Sequence, residues 1–450
     1  MNRTLILDCN NKIGENVKIN GWVQTRRDHG KILFLDIGDR SGLIQVVVSQ
    51  QTTFTSKESK PTFEVRDLHP QDVVSVTGKV NKRPPHMVNK KIPTGEIEIS
   101  AESIQVLSKA SELPFDMGGK NLDLQLPTLL DFRSLTLRHP KVKAIFKVQE
   151  AILDGFRKSA RELRCTEIVV PTIAASATEG GAEVFKIDYF EHKAFLTQSP
   201  QLYKQMLVPV FERVFTVTKA YRAEPSVTTR HLAEITQMDC EIGFVEFEDL
   251  LDLLEKVAIE TIKHAEEKCK DILDEFGVDA VAYGKIPRLT LREAQELIFK
   301  EFGRDNRNEK DLTPQDEIDL CNWAKEKHRS DFVTVTHFPI AAKPFYTMPD
   351  PKDPNYSLSY DLLFRGVEIM SGSQRINNYD QLVESIKSHG MDPKNFEMYL
   401  MAFKFGMPSE GGFSFGLERI TMHILNLANI REASLFPRDM ERVDVRLSKK

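Results

Sequence analysis

From Gln237 to Phe244 the side chains alternate, with Gln237, Asp239 and Glu241 set against Met238, Cys240, Ile242 and Phe244. A period of two is a strand buried on one face only, so this segment demands a sheet with one side on a core and the other polar. The strand-like run Val214–Tyr221 precedes it across the charged segment Arg222–Glu234. Read as a long hairpin, the pair sets Arg222 and Glu224 on one face of its first strand and makes Gln237, Asp239 and Glu241 a polar floor. Arg222, Arg230 and His231 suit a polyphosphate, and Glu224 suits an amine such as that of adenine. A solvated hairpin with charge pairs gives the same pattern.

The surrounding chain does not repeat as βαβα. Apolar residues at 3–4 spacing predict helices over Pro140 to about Leu163, Phe247–Cys269, Thr290–Phe302, Thr313–His328, Tyr379–His389 and Phe396–Phe405. Strand-like runs lie at 167–170, Asp331–Thr336 and Leu358–Met370. The mixture is an α+β core, an antiparallel sheet flanked by helices.

The first hundred residues read differently. Val17–Val23, Ile32–Ile37, Leu43–Val48, Val73–Val80 and Glu96–Val106 are five short strands punctuated by glycine turns. Residues 1–110 hold 16 Lys and Arg against 12 Asp and Glu, whereas the remainder carries a net −9. A small basic five-stranded unit suggests an OB-type barrel that binds oligonucleotides on one face, beside a generic small barrel. The expected organisation is a barrel over 1–107, a proline- and glycine-rich hinge over 108–140 and an α+β domain over 141–450.

At 450 residues two or three domains are anticipated. No run approaches a membrane span and the N-terminus does not read as a secretory signal, which predicts a cytoplasmic protein with no membrane partner. Five scattered cysteines, never spaced as CxxC, read as reduced core residues.

Two further clusters carry chemistry. In Tyr360–Arg375, Gly366 permits a tight turn that lets Asp361 and Glu368 face each other across a hairpin. Two carboxylates suit Mg²⁺, a hard cation that completes its octahedron with phosphate oxygens and water. In Gly411–Ile420 a glycine-rich strand enters a helix, and Arg419 at its start suits a phosphate or a base.

On these residues the chain resembles the class II aminoacyl-tRNA synthetases of the aspartyl/asparaginyl/lysyl subgroup, closest to the aspartyl type. The helix and strand ending at Pro171 resemble the first, dimer-forming motif, Phe215–Phe244 the second and Gly411–Ile420 the third. The resemblance implies a homodimer that joins aspartate to tRNA(Asp), and with relaxed tRNA choice also to tRNA(Asn), through an aspartyl-adenylate made with ATP and Mg²⁺. Arg222 then stabilises the α-phosphate, His231 and Arg419 hold the outer phosphates with Arg230 beside them, and Glu224 reads adenine. Asp361 and Glu368 hold the metal. Glu179, in a mobile-loop motif, and Gln201, Lys204, Asp239, Ser371 and Arg375 bind aspartate, Lys204 being the residue that discriminates against asparagine. Arg26, His29, Phe34 and Gln45 meet the anticodon, and the imidazole of His29 matches enzymes with relaxed tRNA choice. Ser409-Glu410 stands where the aspartyl type has Pro-His, so Glu410 either repels the substrate carboxylate or turns away. An asparaginyl enzyme, an adenylate-forming amide ligase and an RNA-binding paralogue are the competing readings.

Overall fold

The computed structural model describes residues 2–30, 32–56, 68–175, 184–223, 225, 228–444 and 446–447. It divides into two compact units, Met1–Asp123 and Leu124–Lys450.

In the first unit the strands are β1 (Asn16–His29), β2 (Ile32–Gly38), β3 (Leu43–Val48), β4 (Thr53–Ser56), β5 (Val73–Lys82) and β6 (Ile97–Ser108). Five of them run in the order β3-β2-β1-β5-β6, and β3 pairs in parallel with β6, through Gln45 and Glu98 among others, to close the barrel. The short β4 is a sixth strand that the sequence pattern did not disclose, lying along β6. Alternate residues Val17, Ile19, Val23, Leu35, Ile37, Val46, Val74 and Val76 fill the interior. A bulge in β1 between Val23 and Thr25 adds one residue and reverses the facing of all that follows.

The second unit is built on β7 (Thr166–Glu167), β8 (Arg213–Tyr221), β9 (Glu234–Gly243), β10 (Arg288–Thr290), β11 (Phe332–Thr336), β12 (Ser359–Phe364), β13 (Val367–Gln374) and β14 (Glu410–Gly416). Their order is β10-β11-β12-β13-β14-β9-β8-β7, parallel only where β10 meets β11 and β7 meets β8. Helices α1 (Pro140–Glu162) and α2 (Phe247–Lys268) cover one face, where Ile145, Ile152 and Phe156 of α1 and Leu250, Leu254 and Val257 of α2 join Phe215, Met238, Cys240 and Phe415. Phe156 makes edge contacts with Phe215 and Phe415. Helices α3 (Leu291–Phe302) and α4 (Pro314–His328), each opened by a capping box at Thr290 or Thr313, pack with Val333, Val335 and Leu363. Burying one face of the sheet leaves the polar face as the floor of a site.

Four expectations need correction. The hinge does not reach residue 140: residues 126–131 and 133–136 are helical, and buried Arg133 donates to the carbonyls of Glu432, Ser434 and Leu435, which ties them to the second unit. The strand at 167–170 is only the two residues of β7, and Val169 beyond it is 98% exposed. Phe244 leaves the apolar row, because β9 stops at Gly243 and a positive φ of 56° turns the ring outward, 72% exposed. Arg222 lies past the end of β8, so no strand face relates it to Glu224, which is outside the described residues. All five cysteines are free and buried.

Candidate active site

The registers of the central strands align polar residues in two rows. Asp361, Ser371, Ser414 and Asp239 are successive neighbours across β12, β13, β14 and β9, and Ser359, Ser373, Gly412 and Glu241 form the next row. Gly412 has to be glycine, since a Cβ there would overlap the Glu241 carboxylate and the Cys240 carbonyl. Into this floor the helix Gln201–Met206 sends Lys204, only 1% exposed, whose Nζ lies 2.9 Å from Asp239 Oδ2 and 3.1 Å from Glu241 Oε2. Arg375, just after β13, donates from Nε to Glu241 Oε1 at 2.7 Å, and from Nη2 to Gln201 Oε1 at 3.2 Å and the Gly412 carbonyl at 3.1 Å. Its Nη1 reaches Ser373 Oγ at 2.6 Å, and its guanidinium lies 5.2 Å over the Tyr346 ring. Ser414 Oγ donates to Asp239 Oδ1 at 2.7 Å.

Two cations thus balance two carboxylates. Burial alone would depress Lys204, and Asp239 and Glu241 more than offset it and hold it above its usual value. Burial works to raise Glu241, but Arg375 and then Lys204 bring it below the usual carboxylate range. Such a floor holds fixed charges where a carboxylate or ammonium ligand meets them. Glu410 is fully buried at its edge and takes a hydrogen bond from Gln205 Nε2 at 2.7 Å. Burial first, and Glu241 next, push it well above the ordinary carboxylate range. It does not turn away from the floor.

A second group lies along the same open face. Arg419 of the helix α5 (Leu417–Ile424) donates to the Glu368 carbonyl at 2.9 Å and has Glu368 Oε2 at 3.6 Å. Arg230 Nη1 lies 3.6 Å from Glu317 Oε2 of α4. Burial, with Glu368 second, pushes Glu317 up to about 7. His423 of α5 is depressed to about 4 by burial and then by Arg230 and Arg419. His231 Nδ1 shares a 2.6 Å hydrogen bond with Thr228 Oγ1, and the Arg222 side chain makes no hydrogen bond or ion pair among the described residues. Asp361 and Glu368 are not directly opposed: the hairpin register pairs Glu368 with Leu363, and a bulge between Leu362 and Leu363 pairs Asp361 with Ser371. Their charges are still felt mutually. Burial raises Asp361 to about 7, with Lys343 opposing and Glu368 adding to the rise. Asp361 Oδ1 is buried with no hydrogen bond among the described residues, and Oδ2 meets only Lys343 at 3.4 Å. An orphaned carboxylate oxygen beside a second carboxylate fits a hard cation, and two protein carboxylates are the number Mg²⁺ commonly takes.

The structure therefore brings Gln201, Lys204, Asp239, Ser371 and Arg375 to one floor and Arg230, Arg419, Asp361 and Glu368 to a neighbouring stretch; Glu179 and Glu224 lie outside the described residues. Sequence reasoning missed Glu317, Lys343 and His423. The pattern of α4 and α5 singles out their apolar stripes and says nothing of a buried acid or imidazole among them.

On the barrel, Phe34, Asp36 and Gln45 share an outer face with Arg27, which bonds to Asp36 Oδ1 at 2.9 Å and Gln45 Oε1 at 3.2 Å. Gln45 Nε2 continues to Glu98 Oε2 at 2.9 Å. His29 sits edge-on to Phe34, ring centroids 5.6 Å apart. Arg26 is opposite core residue Leu35 and so faces the other way, because the β1 bulge exchanged its facing with that of Arg27.

Residues 125–440 match the model of the tRNA synthetases class II (D, K and N), and residues 17–107 that of the OB-fold nucleic acid binding domain. The chain belongs to the class II tRNA synthetases of the D, K and N group. Among its synthetase relatives is the aspartate–tRNA(Asp/Asn) ligase of Thermus thermophilus, 40% identical over 98% of this chain and 99% of the other. The aspartate–tRNA(Asp) ligase of Pyrococcus horikoshii is 39% identical over 96% of each chain. The structure of asparaginyl-tRNA synthetase from the same archaeon, complexed with asparaginyl-adenylate, superposes with a TM-score of 0.88 at 31% identity, over 98% of this chain and 99% of the other. The floor of this synthetase, from Lys204 to Ser414, lies wholly inside the matched 125–440 segment.

Proposed function

We propose that this synthetase activates aspartate with ATP and transfers it to tRNA(Asp). The observation that carries the choice of amino acid is the pair of buried cations, Lys204 and Arg375, fixed on the floor by Asp239 and Glu241. A side-chain carboxylate gains both cations. A neutral amide in the same position forgoes those charge-assisted contacts, a difference of roughly 2–5 kcal/mol.

In this reading the α-carboxylate of aspartate attacks the α-phosphate of ATP in line and pyrophosphate leaves; the terminal adenosine hydroxyl of the tRNA then takes the aspartyl group and AMP is released. Arg222 is the group for the α-phosphate. Arg230, His231 and Arg419 hold the outer phosphates, Arg230 and Arg419 exchanging Glu317 and Glu368 for phosphate oxygens, and Glu224 reads adenine. No protein nucleophile is needed, since rate comes from alignment and from fixed charge around the transferring group. Asp361 and Glu368 would hold Mg²⁺, which would supply charge neutralisation to the phosphates. Gln201 and Ser371 complete the amino-acid pocket, with Glu179 as a further aspartate-binding group.

The barrel is the anticodon reader, through Phe34, Gln45, His29 and Arg27. The His29–Phe34 edge contact favours a second, broader reading in which tRNA(Asn) is also charged, since the imidazole borders the stacking ring. The working form is a cytoplasmic homodimer joined through α1 and the exposed segment around Val169. An ATP–pyrophosphate exchange assay with aspartate, with asparagine and with neither tests the assignment: aspartate alone should support exchange, and asparagine-driven exchange would overturn it.

A further inference from the structure

Glu410 occupies an unusual position on the floor. It opposes Gly243 across β14 and β9, while Glu241 opposes Gly412, so the two glutamates are diagonal neighbours on one face whose other two corners are glycines. With no side chain at either glycine, the glutamates adjoin directly. Both oxygens of Glu241 are engaged by cations, Oε1 by Arg375 at 2.7 Å and Oε2 by Lys204 at 3.1 Å and Arg375 at 3.3 Å. Glu410 Oε1 takes the Gln205 amide, and the Gln205 carbonyl oxygen accepts from Tyr399 OH at 3.0 Å. Glu410 Oε2, also buried, has no donor among the described residues and looks onto Glu241, itself an acceptor only. Two buried acceptors in contact need a proton between them.

We propose that Glu410, as a neutral carboxylic acid, is a positioning residue for amino-acid recognition: its Oε2 hydroxyl donates to Glu241 and so fixes the Arg375 and Lys204 cations that receive the substrate. The groups facing it agree on where the proton resides. Lys204 and Arg375 bear on Glu241 and keep that residue ionised, while Gln205, Tyr399 and the Glu241 charge surround Glu410, with Tyr346 and Asp239 behind Arg375 and Lys204. The pocket is then electrically balanced before substrate enters. An ionised Glu410 would add a buried negative charge beside the place for the incoming carboxylate.

The inference rests on the aspartate reading for its kinetic half alone. In pyrophosphate exchange Glu410→Ala should raise KM for aspartate roughly tenfold or more while KM for ATP holds, and Glu410→Gln, which keeps one donor and one acceptor, should restore it. Equal losses in both variants, no loss in either, or a parallel rise in KM for ATP would overturn the role. Thermal melting tests the proton without any substrate. A carboxyl kept protonated in the fold loses stability relative to the unfolded chain as pH rises above its ordinary value, so Glu410→Gln should melt higher than wild type by a margin that widens from about pH 5 to about pH 8. A variant that melts lower at pH 8 than wild type means that Glu410 is an ionised partner, and the proposal fails. Absence of aspartate-driven exchange in the wild type would defeat the substrate assignment and leave the melting result to decide the state of Glu410.

Discussion

Replacing Lys204 by Met keeps the volume of the buried stem and removes its charge. Asp239 and Glu241 then share Arg375 as their nearby cation, although Asp239 keeps the Ser414 hydroxyl and Glu241 keeps the guanidinium. Removing one partner of a buried pair costs ~3–5 kcal/mol, and those retained contacts place the expected loss near the lower end. That is a large part of a domain's ~5–15 kcal/mol, and urea unfolding of the intact protein should show it as an earlier transition of the second unit. Lys204→Met with Asp239→Asn restores the charge balance, one cation against one carboxylate, and should recover about 1–3 kcal/mol of the loss. Recovery of stability need not bring recovery of function. The substrate carboxylate still lacks a cation, a deficit of ~2–5 kcal/mol that becomes roughly 30- to 4,000-fold in kcat/KM for aspartate, with KM for ATP little changed. If Lys204→Met unfolds within about 1 kcal/mol of wild type, or if the second substitution lowers stability further, the charge-balanced floor is the wrong description.

The His423 imidazole, depressed to about 4, should make the protein acid-sensitive. A histidine lowered in the fold contributes stability that is complete above ~6.5 and is lost as pH falls towards 4, at up to about 1.4 kcal/mol per pH unit; His423→Gln should flatten urea midpoints measured between pH 7 and pH 5, and equal slopes in the two proteins would count against it. On the barrel, Arg27→Ala should raise KM for tRNA roughly tenfold by freeing Asp36 and Gln45, with pyrophosphate exchange untouched, and Arg26→Ala should do less. Equal effects would mean that the bulge does not set which arginine meets RNA. Gly412→Ala should lower aspartate-dependent exchange at least roughly tenfold, because its methyl group displaces the Glu241 carboxylate; normal exchange would show that this carboxylate has room to move.

Much of this architecture is legible in local pattern. Period-two alternation identifies the polar floor of β9, with Asp239 and Glu241 on one side and Met238 and Cys240 on the other, because strand geometry alone decides facing. The spacing of Ile145, Val148, Ile152 and Phe156 marks α1, and Thr290 and Thr313 mark the starts of α3 and α4, since caps and stripes depend on residues a turn apart. What local pattern does not carry is any property set by residues distant in sequence. One extra residue in β1 swaps Arg26 for Arg27 on the outer face, and the turn register of the β12–β13 hairpin sets Glu368 opposite Leu363 while its bulge sets Asp361 opposite Ser371. The segment 124–140 looks like linker until Arg133 finds carbonyls some 300 residues away. Glu410 shows the limit most clearly. Its sequence neighbours offer only a surface-like polar residue, but its charge is decided by burial against Gln205, Glu241 and Arg375, from three other elements, and a proton's affinity sums over all of them.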